Sequence, residues 1–438
     1  MQPALFFGYV PAVNDSSSTS VTYPPCVEHG VWVPLLTTPP DDLLCLRLKD
    51  VSADESHGIK QRGVMSFHSL GCSGYYLNQE PGRRVAAAMA AQIGQPGIYG
   101  GVPDATTASF LYHLGDIAYK DEDPSNPAAK DQATIYNAQF YAQYAGYQRD
   151  IFAIPGNHDG KASGHDNKSA IVHFVQNFCD PHRGLSPDNK TDHRKTMCQP
   201  YPYWRLETPV ASFIGLYTND INGGQLDDPM SEDNPQYRWL VKTLSDIKIR
   251  QNEEPKALVI GLHYPPYSGT ANFRERGDPN LGPTQRRGAV KPLAVILQQA
   301  YREANLYPDL VLSAHAHLYQ RITYQQTDGR QIPHLIIGSG GHPPIEPLFE
   351  TCTKTLLQRK PPPLDLVLPA GLDLREGQSA KVVAYNDTDF GFTRITIDLN
   401  RHKLTGEFFA VLPSGESGTE TPRVADSFVL DLVTKRIA

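Results

Sequence analysis

The stretch SFLYHLGDIAY, residues 109–119, decides how this chain is read: a strand-length apolar run breaks at a glycine, and the acid Asp116 and phenol Tyr119 follow at once. Three later stretches repeat the design. AIPGNHDG occupies 153–160, VIGLHYPPYS 259–268 and LSAHAHLYQR 312–321, each an apolar run that ends in a polar cluster. Ligands of open α/β sheets bind beyond the carboxyl ends of the strands, so clusters on parallel strands would share one crevice. Asp116, Tyr119, Asn157, His263, His315 and His317 would then converge.

Outward from these stretches, strand-length apolar runs at 64–70, 109–114, 151–154, 211–217, 257–262, 310–313 and 334–337 alternate with helical periodicity at 83–93, 170–178, 236–247 and 290–304. This is the pattern of an α/β domain. Alternating segments 392–399 and 404–412 around the turn 400–403 predict an antiparallel hairpin. Residues 1–63 are rich in Pro, Ser and Thr and carry no motif, and residues 64–438 read as one catalytic domain.

A chain of 438 residues, 40% apolar and 20% charged, has the composition of a globular protein. Its formal charge of −7 argues against nucleic acid as a partner, because binders of that backbone present a basic face. No apolar run approaches the roughly 18–20 residues of a membrane span. The opening MQPALFFGYVPAVNDSSS lacks the basic and long apolar regions of a secretory signal, so the chain reads as cytosolic or as already processed. Six cysteines are too few for a disulfide framework; Cys26 with Cys45 and Cys179 with Cys198 are candidate local pairs, and buried thiols are an equal alternative.

Carboxylate, carboxamide oxygen, imidazole and phenolate are the hard to borderline donors that hold Mn, Fe, Zn or Mg. Two such ions about 3.5–4 Å apart clamp a phosphoryl group. A carboxylate such as Asp116 can bridge them, and the HxH at 315–317 puts both imidazoles within reach of neighbouring ions only if its backbone is extended or forms a turn. A lone GD or HxH carries no information. GNHD, expected by chance on the order of a few times in a thousand chains of this length, does.

The ordered set GDxxY (Gly115, Asp116, Tyr119), GNHD (156–159), the strand-end His263 and HxHxYxR (His315, His317, Tyr319, Arg321) resembles the purple acid phosphatase branch of calcineurin-like metallophosphoesterases. IIGSGGH at 336–342, QYRWL at 236–240, DFGFTRITIDLN at 389–400 and VADSFVLDL at 424–432 agree, so the resemblance covers residues 64–432. It implies two mixed β-sheets flanked by helices, with a two-metal site at strand ends. Asp116 would bridge the ions. Tyr119 and His317 would hold the first, ferric iron in that branch, and Asn157, His263 and His315 the second, usually Zn, Mn or Fe(II). His158 would stabilise the transferring phosphoryl group or protonate the leaving alkoxide, with Asp159 orienting its imidazole.

Tyr264, Tyr267 and Tyr319 are candidates for a leaving-group pocket and Arg321 for a phosphate contact, although Arg321 equally suits an acid beneath the site. His342 follows the glycine turn where the family's pocket lies; His113, His165, His173, His182, His193 and His334 read as structural. The implied activity is hydrolysis of a small phosphorylated substrate, monoesters first, with diesters or nucleotides as alternatives. The family is largely exported. Oligomeric state is not legible.

One position departs. The family opens with a GDxG turn whose Asp is a ligand of the first metal, and in the matching SFHSLGCSG, residues 66–74, that place is taken by Cys72. Weakened or altered catalysis is the leading expectation. Three readings stay open: a thiolate ligand favouring softer ions such as Zn or Fe(II), a spectator that leaves the first site short, or a scaffold that binds without turnover. Cys72 is not a phosphatase nucleophile, because the C-x5-R cradle is missing and residue 78 is Asn78.

Overall fold

A computed structural model describes residues 44–93, 107–120, 132–160, 171–180, 183–191, 194–218, 234–269, 293–348, 366–367, 377–411 and 422–438. One sheet contains β2 (Val64–Leu70), β3 (Ala108–His113), β4 (Asp150–Ala153), β13 (Phe390–Asp398), β14 (Lys403–Val411), β15 (Arg423–Asp431) and β16 (Arg436–Ile437). The other contains β1 (Cys45–Arg47), β5 (Trp204–Glu207), β6 (Ala211–Gly215), β7 (Ala257–Gly261), β8 (Leu310–Ser313), β9 (Tyr319–Gln325), β10 (Gln331–Ile337), β11 (Leu366–Val367) and β12 (Ser379–Asn386). Their spatial orders are β16-β15-β14-β13-β2-β3-β4 and β1-β5-β6-β7-β8-β10-β9-β12-β11.

Both sheets are mixed, as the fold reading expects. Strands β2, β3 and β4 run parallel, and so do β6, β7, β8 and β10, whereas β13 to β16 and β9 with β12 pair antiparallel. The parallel members are the ones whose sequences are apolar without alternation, because both of their faces are covered. All seven apolar runs read from the sequence are strands, and the hairpin is β13 with β14, closed by the Asp398↔Lys403 pair.

The sheets meet through aromatic rings. Phe67 of β2 and Phe110 of β3 pack on Phe213 of β6 at centroid separations of 5.0 and 5.4 Å. Removing one such ring costs roughly 3–5 kcal/mol, through lost transfer energy and the cavity left behind. Trp204 of β5 adds a polar tie by donating to the carbonyl of Ala153 at 2.9 Å.

Helices flank the sheets: α1 (Leu48–Val51), α2 (Ala53–Arg62), α3 (Glu80–Ile93), α4 (Gln132–Tyr136), α5 (Asn157–Gly160), α6 (Ile171–Phe178), α7 (Pro235–Gln251) and α8 (Leu293–Glu303). Their starts follow local chemistry. Asn234 accepts from the N–H of Tyr237 at 3.0 Å, and Pro235 supplies the preset φ of the first turn of α7. No helix among the described residues is long and apolar enough to cross a membrane.

The N-terminal segment, in its described part, is built into the fold: β1 pairs in parallel with β5, and α2 leads into β2. Cys179 and Cys198 stand opposite each other in an isolated antiparallel bridge and carry free thiols. Cys26, His165, His182 and His193 lie outside the described residues.

Candidate metal centre

Five strand ends, three from one sheet and two from the other, deliver the side chains singled out above. Cys72 follows β2, Asp116 and Tyr119 follow β3, Asn157 to Asp159 follow β4, His263 follows β7, and His315 and His317 follow β8. The parallel ladders run one rung past the strands, through Leu114 N–H to Leu70 O at 2.8 Å and Ala314 N–H to His263 O at 3.0 Å. The crevice is therefore walled by hydrogen-bonded backbone up to its edge.

At that edge the backbone turns sharply. Among the described residues six non-glycine positions have positive φ, and three belong here: Cys72 at 53°, Asp116 at 55° and His315 at 64°. Such conformations cost on the order of 1–3 kcal/mol each and persist where surrounding contacts dictate them. The contacts are visible: Cys72 N–H donates to Gly115 O at 3.0 Å, and Ser73 N–H to Asp116 O at 3.2 Å. Gly115 and Gly156 are required by close approach, since a Cβ on Gly156 would lie 2.2 Å from Asp116 Oδ1.

Asp116 sits at the centre, fully buried. Its Oδ1 accepts the N–H of His158 at 2.8 Å and its Oδ2 accepts the hydroxyl of Tyr119 at 2.9 Å. Burial alone would raise its pKa, but the imidazoles of His263, His158 and His315 hold the carboxyl well below its ordinary range. His263 donates from Nδ1 to the carbonyl of Leu114 at 2.8 Å. In the neutral ring Nε2 is thus a bare acceptor, and it faces Asn157 Oδ1 at 3.1 Å and Asp116 Oδ2 at 3.3 Å. Three acceptors around one point are reconciled by a bound cation or by a proton between them. Without metal a second proton on His263 serves, which is why its pKa is raised by Asp116 and Leu114 despite burial.

The remaining donors close in from the other side. His317 Nε2 lies 3.3 Å from the Tyr119 hydroxyl. Burial and neighbouring imidazoles lower His315 well below its ordinary value, and burial first among the causes takes His317 down to about 4, so both rings are neutral at pH 7. The thiol of Cys72, the carboxylate of Asp116 and the imidazole of His263 offer ligand atoms that all lie within 4.8 Å of one another. This donor set suits a borderline divalent metal ion.

Four candidates lie elsewhere or act differently. Tyr319 stacks on Phe408 at 4.0 Å and donates to Asp426 at 2.7 Å, while Arg321 grips the same carboxylate through two bonds of 2.8 and 3.0 Å. Positions i and i+2 of a strand share a face, and β9 turns both toward β15 and not toward the crevice. Arg321 thus has the acid-paired role and not the phosphate contact. Tyr267 stacks on Tyr324 and meets His334 edge-on in the core. Asp159 was expected to orient His158, but its oxygens accept from the N–H groups of Ile117, Ala118 and Gly156. It splices the GD turn to the GN turn. Burial and the neighbouring Asp116 raise its pKa.

Tyr264 packs edge-on against His315 and His263. The Tyr119 ring lies between His158 at 4.2 Å and His342 at 4.0 Å, and His342 also meets His317 at 4.5 Å. Its Nδ1 is buried without a hydrogen-bond partner. His113 is structural, its ring bonding Ser73 at 2.8 Å and accepting from Gly115 N–H at 3.2 Å.

Gln139 escaped the sequence reading. Its amide accepts from Tyr119 N–H and donates to Tyr119 O, both at 2.8 Å, clamping the backbone of a candidate ligand. Gln199 and Gln236 clamp Ala153 and Tyr217 the same way. No local pattern marks such glutamines.

A family model described as calcineurin-like phosphoesterase matches residues 94–319, just over half of the chain. That span contains Asp116, Tyr119, Asn157, His263, His315 and His317 and begins after Cys72. No curated protein matches the sequence. Among solved structures, GAP50, described as the anchor in the inner membrane complex of Plasmodium, is similar at 12% identity and a TM-score of 0.45, over 83% of this chain and 90% of that one. A dimetal phosphatase from Danio rerio is similar at 12% identity and a TM-score of 0.41, over 78% of this chain and 95% of that one.

Proposed function

The chain belongs to the calcineurin-like phosphoesterase family, and on that premise we propose that it hydrolyses phosphate monoesters at a centre of two metal ions. The observation that carries this reading is the set of facing acceptors, His263 Nε2, Asn157 Oδ1 and Asp116 Oδ2, which a metal ion would satisfy in place of the second proton on His263. Asn157, His263 and His315 hold one ion, Tyr119 and His317 the other, and Asp116 is shared. Iron with Zn, Mn or a second Fe fits the phenol and imidazoles. Bound there, the ions supply Lewis acidity toward the phosphoryl oxygens and an acidified water.

The chain's own groups do the rest. His158 is the second residue of α5, with its N–H fixed by Asp116 and its ring against that of Tyr119. From there it stabilises the transferring phosphoryl group and gives a proton to the leaving oxygen. Asp159 acts as a positioning residue by holding the two turns together. Tyr264 and His342 line the approach, where a small phosphorylated substrate enters.

The test is metal content with turnover of a chromogenic phosphate ester. Two ions per chain with turnover is the expected result, and none or one without turnover would overturn it. Cys72 favours a second reading, phosphate binding without turnover, which the same pair of measurements separates. Phosphodiester and nucleotide substrates in the same assay define the range.

A further inference from the structure

Cys72 is not merely the residue found where a carboxylate is expected. Its side chain is buried, at 0% exposure, and its φ of 53° matches the left-handed turns of Asp116 and His315. Asn, Asp and His tolerate that conformation better than other side chains do, and cysteine has no such advantage. The turn is nonetheless held, by Cys72 N–H on Gly115 O and by His342 N–H on Cys72 O, both at 3.0 Å. These bonds present the sulfur to the crevice. The sulfur, an Asp116 oxygen and a His263 nitrogen all lie within 4.8 Å of one another.

We propose that Cys72 is a sulfur ligand of this centre, together with Asp116 and His263, and that it makes the centre select zinc, iron(II) or cobalt(II) over magnesium and manganese(II). The inference rests on the metal-centre reading above. Thiolate is a soft donor, and magnesium and manganese prefer oxygen. In the step itself a metal–sulfur bond forms, the S–H bond breaks and its proton goes to solvent; no electron is transferred. A bound cation deprotonates a coordinating thiol outright, so burial of the neutral thiol is no obstacle.

The decisive experiment is cobalt(II) titration of the metal-stripped, full-length protein, followed by absorption. The wild type should show a near-ultraviolet thiolate-to-cobalt charge-transfer band together with visible ligand-field bands. Cys72→Ser, close to isosteric, should keep the ligand-field bands and lose the charge transfer. Cys72→Asp should do the same and shift the zinc-over-manganese affinity ratio toward manganese by about tenfold or more.

Ligand-field bands in the wild type without the charge-transfer band would make Cys72 a spectator and overturn the proposal while leaving the metal centre standing. A charge-transfer band that survives Cys72→Ser would trace the sulfur to another thiol and overturn it equally. No cobalt bound by any form would overturn the metal-centre reading and this inference together. Circular dichroism of each variant confirms the fold before titration.

Discussion

The two ends of the candidate centre are built from different chemistry. At one end Asn157, His263 and His315 offer an amide oxygen and two imidazoles, donors that are neutral when they bind. At the other, Tyr119 and Cys72 are acids whose protons are held tightly, by burial first and by Asp116 next. In the proposed reading Asp116 serves both. The contrast teaches that the first end gives up only the second proton of His263 to accept an ion, whereas the second must release protons from two buried acids.

Asp116→Asn breaks both ends at once. Loss of the shared charge should lower kcat/KM by roughly a thousandfold or more, above the ten- to hundredfold typical of outer groups around a metal. Retained turnover would place the chemistry elsewhere. His158→Ala touches neither end, and should lower kcat by about 10²–10⁴-fold with metal content unchanged. Loss of metal in that variant would recast His158 as a ligand.

Cys72→Asp sharpens the contrast from one side only. A hard anion at the acidic end should raise metal occupancy there in manganese by about tenfold and increase the phosphatase rate. An unchanged or lower rate contradicts that. Asn157→Asp is the mirror experiment at the neutral end.

The smallest effect lies outside the centre. Burial lowers His68, His113 and His334 from the ordinary 6.5 to about 3. Above about pH 6.5 neither folded nor unfolded chain binds these protons. As pH falls toward 3 the unfolded chain binds them and the folded chain does not, so stability falls by about 1.4 kcal/mol per pH unit for each. Urea unfolding of His68→Gln should show a pH slope shallower by one proton than the wild type. Identical slopes would mean that His68 is protonated in the fold.

Much of this was legible in the sequence because strands buried on both faces must be apolar and must stop where the site begins. That rule located β2, β3, β4, β7 and β8 and the candidate ligands at their ends. It failed for β9 and β12, whose polar alternation, as in SAKVVAYN, marks one covered face and one wetter face on strands that are nonetheless interior to their sheet. Tyr319 and Arg321 were misplaced by nearness in sequence: two residues past His317 the loop becomes strand, and the side chains turn to Asp426. Gln139 was invisible because its partner, Tyr119, is 20 residues away and amide-to-backbone clamps have no periodicity. Asp159 showed its residue type but not its task.

The left-handed turns at Cys72, Asp116 and His315 impose a filter of their own. A socket whose backbone is fixed by its neighbours admits few side chains without strain: glycine, asparagine, aspartate and histidine chief among them. Three of those four are also metal donors. Shape and chemistry thus draw on nearly the same short alphabet, so the element presented at a socket can be exchanged while the loop that presents it stays as it was.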